Sequence, residues 1–91
     1  MTLILATILD TSAAAPLRQA LKQAVAASSG DGTPLILDGS GVERAGLACL
    51  QVLAAGRSAA VQGGVDLRIA PVSPALVGMA TLAGLDALIL A

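Results

Sequence analysis

Few residues in this sequence have the chemistry for catalysis or ligand binding, and their spacing restricts them further. Asp38-Gly39-Ser40-Gly41 follows the apolar run Leu35-Ile36-Leu37, the place in a strand–loop–helix unit where backbone N–H groups cradle phosphates. A dinucleotide reading would recruit Asp66, on the next strand, as the acid for a ribose hydroxyl. The run from Gly39 to Arg44 lacks the third glycine of that fingerprint, however, and the chain has no Gly-Lys-Ser/Thr of a P-loop. A plain strand-to-helix connection is the better reading, with a small-ligand or nucleotide binder at the Gly39–Gly41 loop as an alternative. Cys49 lies between Ala48 and Leu50, where a buried, inert thiol is expected. A helix beginning at Gly46 would put Cys49 in its first turn, where the dipole lowers a thiol pKa, and that keeps a reactive thiol as the alternative. Ser40 is the best-placed loop hydroxyl, and Glu43-Arg44 is the one adjacent pair of opposite charges. Together they suit either a partner contact or a solvated loop with a cap. Met79 needs no role beyond filling the core.

The types that are missing narrow the field. The chain has no His, which removes His-ligated metals and every Ser-His or Cys-His nucleophile pair. A lone Cys forms no intramolecular disulfide and no thiolate cluster, which fits a reducing, cytoplasmic setting. Five dispersed basic residues are offset by six acids, giving a net charge of −1, and no Phe, Tyr or Trp is present to stack on a base. Nucleic-acid binding is therefore not expected. No catalytic set and no cofactor motif remain, so a non-enzymatic protein is the expectation.

What holds these residues in place must be built from aliphatic side chains. The 91 residues include 20 Ala and 16 Leu, enough for one small domain over residues 1–91. A mean hydropathy of +0.87 raises the question of a membrane span or an apolar contact surface. The uncharged stretch from Ile69 to Leu85 is broken by Pro71, Pro74, Gly78 and Gly84, and reads as an αβ segment rather than a span. Met1–Leu9 is apolar without a basic start, which favours a buried first strand over a secretory signal.

The spacing predicts a strand at 2–5 and a helix capped by Asp10, Thr11 or Ser12 that runs to about Ala27. Pro16 should lie in its first turn, and Leu17, Leu21 and Val25 should form its buried stripe, with Arg18, Gln19, Lys22 and Gln23 facing away. Residues 28–32 read as a loop. A second strand at 35–37 precedes a helix from 46 to 62, with Leu47, Leu50, Leu53, Ala54 and Val61 inward and Gly63-Gly64 as its stop. Val65–Ile69 alternates as a third strand. Ser73-Pro74 opens a third helix that ends at Gly84, and 85–90 is a final turn or a short fourth strand. The fold class is α/β, a small mostly parallel sheet of about four strands with three helices as right-handed crossovers.

The stretch from Leu35 to Leu53, LILDGSGVERAGLACLQVL, resembles the STAS domain, a family named for sulfate transporters and anti-sigma factor antagonists. Leu9-Asp10 with the helix around Leu17 and Leu21, and Val72-Ser73-Pro74 through Leu85, extend the resemblance over nearly the whole chain. The family's usual first strand is missing. The chain is similar to short single-domain members, among them the small subunit of lipid-asymmetry transporters, and closer still to those that accompany chemotaxis-type kinases.

The resemblance implies a module that docks a kinase or related signalling ATPase through the loop and helix at 39–51. The family's phosphoacceptor hydroxyl sits at the start of the second helix, where this chain has Gly46, Leu47 and Ala48, with Cys49 at the family glycine. Switching by phosphorylation is accordingly not expected. Glu43, Arg44, Leu47 and Gln51 would form the docking patch, with Ser40 and Gly41 shaping the loop. An accessory subunit that stabilises the ATPase of a lipid ABC transporter is the alternative, and a homodimer through an exposed apolar face is compatible with either.

Overall fold

Three short apolar segments, each too short to bury itself alone, pair side by side at the centre of the protein. The structure, a computed structural model, describes residues 1–90. Strands β1 (Thr2–Ile4), β3 (Leu35–Gly39) and β5 (Leu67–Val72) form a parallel sheet in the order β1-β3-β5. Leu3 pairs with Leu37, and Leu37 with Ile69. The register shifts between Leu37 and Gly39, so that Gly39 comes opposite Val72. A second parallel ladder, β2 (Ile8–Leu9) on β4 (Arg44–Ala45), holds the ends of two connections together. The fold class is the α/β arrangement expected, with three strands in the main sheet and a fourth helix over the last segment.

Period-two alternation decides which face of the sheet is covered. Leu35, Leu37, Leu67 and Ile69 are buried, while Arg68 and Ala70 face outward. The first strand follows the same rule rather than being buried throughout: Leu3 is half-buried between the exposed Thr2 and Ile4, and Leu5, just past the strand, is buried.

Helix α1 spans Thr11–Asp31, with Asp10 as N-cap accepting from Ala13 N at 3.2 Å. It differs from the expectation at both ends. Pro16 lies in the second turn, where its missing N–H leaves the Ser12 carbonyl without the usual i+4 donor. The helix also continues through residues 28–31 instead of ending near Ala27. Ser29 is absorbed because its Oγ donates to the Ala26 carbonyl at 3.0 Å. Gly32, in the left-handed region with φ 72°, ends the helix by donating its N–H to Ser28 O. Leu17 and Leu21 form the buried stripe with Ala24, and Val25 is half-buried beside it.

Helix α2 (Leu47–Gln62) buries Cys49, Leu50, Leu53 and Ala60. Leu47 and Val61, expected inward, point out instead, with 56% and 71% exposure. Leu47 shares its helix face with Gln51, Ser58 and Gln62, away from the buried Cys49, Leu53 and Ala60, and Val61 borders that polar face. Ser73 caps α3 (Pro74–Leu82) and Pro74 is its first residue, as the sequence predicts. The final segment is helical, α4 (Asp86–Leu90), and inserts the fully buried Ile89 into the core. Helices α1 and α2 pack against each other, and α4 touches α2, α3 and β5. The buried residues form one cluster.

Candidate docking surface

The loop after β3 is fixed from three directions. Asp38 closes it from within: Oδ1 accepts from Ser40 N at 2.9 Å and from Ser40 Oγ at 2.6 Å. These two bonds, the hydroxyl's first, hold the Asp38 carboxyl below its ordinary pKa. From the α3 side, Ser73 Oγ donates to the Val42 carbonyl at 2.6 Å and accepts from Leu76 N at 3.1 Å. Ser73 N donates to Gly39 O at 3.1 Å. Gly39 is required there, because a Cβ would stand 2.9 Å from Leu76 Cδ2 and Leu76 is fully buried. From the β2 side, Thr7 O accepts from Glu43 N at 2.8 Å and Leu9 O from Gly46 N at 2.8 Å. Gly41 contributes less than expected: it has no positive φ, and a Cβ would meet nothing within 4 Å. Ser40 shapes the loop, and Gly41 does not.

This bonding leaves the loop poorly suited to phosphate. The Ser40 N–H is turned onto the Asp38 carboxylate, and the Val42 N–H onto Gly39 O. An anion would meet a carboxylate where it needs free donors.

All six residues of the anticipated patch reach the surface. Ser40, Gly41, Glu43 and Arg44 are exposed on the loop and β4, Leu47 is the first residue of α2, and Gln51 lies one turn on. Ala48 is half-buried. Cys49 turns inward and is fully buried, its Sγ donating to Asp10 O at 3.2 Å. Burial, and next the negative charge of Asp10, push its thiol pKa up. Cys49 is thus placed as a buried thiol, the environment of an inert one.

Three apolar residues outside the anticipated set complete the surface. A groove of about 710 Å³ between α3 and the β2–β4 ladder is lined by Ile8, Glu43, Arg44, Gly46, Met79 and Leu82, among others. Ile8 is 47% exposed, Met79 38% and Leu82 83%. Met79 thus lines an open groove rather than filling the core. The sequence signal for this was that α3 is apolar around its whole circumference. Leu76 and Ala80 face the core, which leaves Met79 and Leu82 on a second apolar face. Leu47 follows Gly46 directly at the groove's edge.

Residues 1–90 match the family model described as Mlab, STAS domain. The chain belongs to the STAS domain family. No curated protein and no solved structure gives a significant match. As a STAS domain, the protein is of a kind that serves in general as a non-catalytic signalling and interaction module, commonly contacting other proteins. None of its described helices is long and apolar enough to cross a membrane.

Proposed function

We propose that this STAS domain is a non-enzymatic adaptor that docks a kinase-type signalling ATPase in the bacterial cytoplasm, using the surface from Ser40 to Gln51. The observation that carries the reading is Leu47, which exposes more than half of its side chain at the first position of α2, beside a groove walled by Ile8, Met79 and Leu82. Large aliphatic side chains on a hydrogen-bonded scaffold are suited to anchoring a partner, and Glu43 and Arg44 supply a polar rim. With Leu47 and Ala48 at the family's hydroxyl positions, the contact is constitutive rather than released by phosphorylation.

The Mlab description of the matching family favours keeping a second reading, an accessory subunit stabilising the ATPase of a lipid ABC transporter. Both readings use one surface and an ATP-binding partner. Affinity capture from cell extract separates them, with Leu47→Asp as the control. An acid at this helix position is compatible with the dipole, so the variant should fold with an unchanged circular dichroism spectrum. A signalling kinase recovered by the wild type and lost by at least about tenfold in the variant supports the first reading, since burying an unpaired charge costs more than about 1.4 kcal/mol. An ABC ATPase with the same sensitivity moves the protein to the second. Equal recovery by both proteins contradicts the surface itself.

A further inference from the structure

A second groove adjoins this surface, sharing Ala48 and Gln51 with it, and runs along the seam between α1 and α2. Its volume is about 700 Å³, and its walls are small and apolar, with Ala48, Val52, Ala55 and Ala59 on α2 facing Leu21 and Val25 on α1. Close approach at Leu21 and Gly56 forms its floor, since a Cβ on Gly56 would stand 2.9 Å from Leu21 Cδ1. From Ala48 to Ala59 it runs roughly 16 Å, at about 1.5 Å per helical residue.

The charge on this seam is one-sided. Arg18 and Lys22 stand on the α1 wall, exposed, and neither is in an ion pair among the described residues. No acid occurs from residue 11 to 30 or from 47 to 62, although the whole chain has net charge −1. A second copy presenting the same face would bring four cations and no acid into one interface, which disfavours self-pairing. Arg18 and Lys22 are four residues apart, so their Cα atoms are about 6 Å apart along the axis. Two acids with the same spacing on a partner helix would face both.

We propose that the α1–α2 groove receives an acidic amphipathic helix of about three turns from a partner protein. Its apolar seam packs on Ala48, Val52, Ala55 and Ala59, and a pair of Glu or Asp residues at i and i+4 meets Arg18 and Lys22. Small groove walls let the backbone of a third helix approach closely. The site shares Ala48 and Gln51 with the docking surface at Leu47 and goes beyond it through its α1 wall and the Arg18–Lys22 pair.

The probe is a capped sixteen-residue helical peptide with a Leu seam and a Glu pair at i and i+4, compared with the same peptide carrying Lys at those two positions. Binding to the full chain is followed by fluorescence anisotropy at low salt and mapped by amide chemical shifts. The Glu peptide should bind about fivefold to tenfold more tightly than the Lys peptide, the yield of two exposed ion pairs. The preference should invert in Arg18→Glu/Lys22→Glu, and shifts should centre on Ala48, Val52 and Ala55. Leu82→Asp, at a residue that lines the first groove and not this one, should leave this binding unchanged, which keeps a failure of this proposal distinct from a failure at the other surface. Equal affinity for the two peptides overturns the proposal, as do shifts confined to residues 43–47 and 79–82. Binding of phosphatidylglycerol vesicles without either peptide overturns it in favour of a lipid surface. A dimer in light scattering that Ala55→Glu dissolves overturns it in favour of a second copy.

Discussion

At the scale of single residues, the behaviour of Cys49 and Ser73 follows from what encloses them. Cys49 is fully buried, and its thiol is held protonated by burial and by the nearby Asp10 charge. With an aromatic disulfide reagent at pH 8, it should react on the order of a hundredfold more slowly in native protein than in guanidinium. The raised thiol pKa also fixes a sign. Its stabilising contribution is complete below the unfolded thiol pKa, near 8.5, and is lost as pH rises through the higher folded value. Melting temperature should therefore fall on the alkaline side, and Cys49→Ala should lack that part of the fall. Ser73 is both the cap of α3 and the bolt to the Val42 carbonyl. Ser73→Ala should cost about 2–3 kcal/mol in urea unfolding, a lost cap plus a buried acceptor left unpaired. Ser28→Ala should cost nothing or stabilise slightly, because the buried Ser28 hydroxyl has no hydrogen-bond partner among the described residues. The role of Ser73 as a cap is readable from Ser-Pro in the sequence, but its bond to a loop 31 residues away is not.

Between elements, the α1–α2 contact is set by one glycine. Alanine is worth about 1 kcal/mol more than glycine inside a helix, yet a Cβ at Gly56 meets the buried Leu21 at 2.9 Å. Overpacking of that kind costs about 1–3 kcal/mol. Gly56→Ala should therefore destabilise the protein by about 1 kcal/mol, and in a Leu21→Ala background the same change should stabilise it by about 1 kcal/mol. Additive effects in that cycle would mean the helices do not meet there. Element order was legible in the sequence, because the strands expected at 35–37 and 65–69, which lie at 35–39 and 67–72, and the Ser-Pro cap carry strong local patterns. The β2–β4 ladder was not, since two-residue strands have no periodicity to detect. The outward turn of Leu47 was legible in the spacing, since it falls on the Gln51, Ser58 and Gln62 face of α2, but its apolar type argued the other way.

For the whole molecule, a chain with no aromatic residues and 56% apolar types cannot bury all of its aliphatic surface. Part of what it leaves exposed is gathered, with Ile8, Met79 and Leu82 sharing one groove and Leu47 next to its Gly46, while Ile4, Val61 and Leu88 are exposed outside it. The family resemblance pointed to Ser40, Gly41, Glu43, Arg44, Leu47 and Gln51, which are exposed, while Val42, Ala45, Cys49 and Leu50 between them are buried. It could not reveal the α3 wall, because Met79 and Leu82 look like core residues until the strands decide which face of α3 turns inward. The proposed docking of an ATPase at the Leu47 end of the molecule is open to direct test. Photo-crosslinking in cells tests it most directly, with a benzophenone amino acid at position 47, at position 82, and at position 61 near the opposite end of α2. An adduct with one and the same ATPase is expected from positions 47 and 82, and none from position 61. An ATPase adduct of equal yield from position 61, or adducts from 47 and 82 containing only a second copy of this chain, would contradict it.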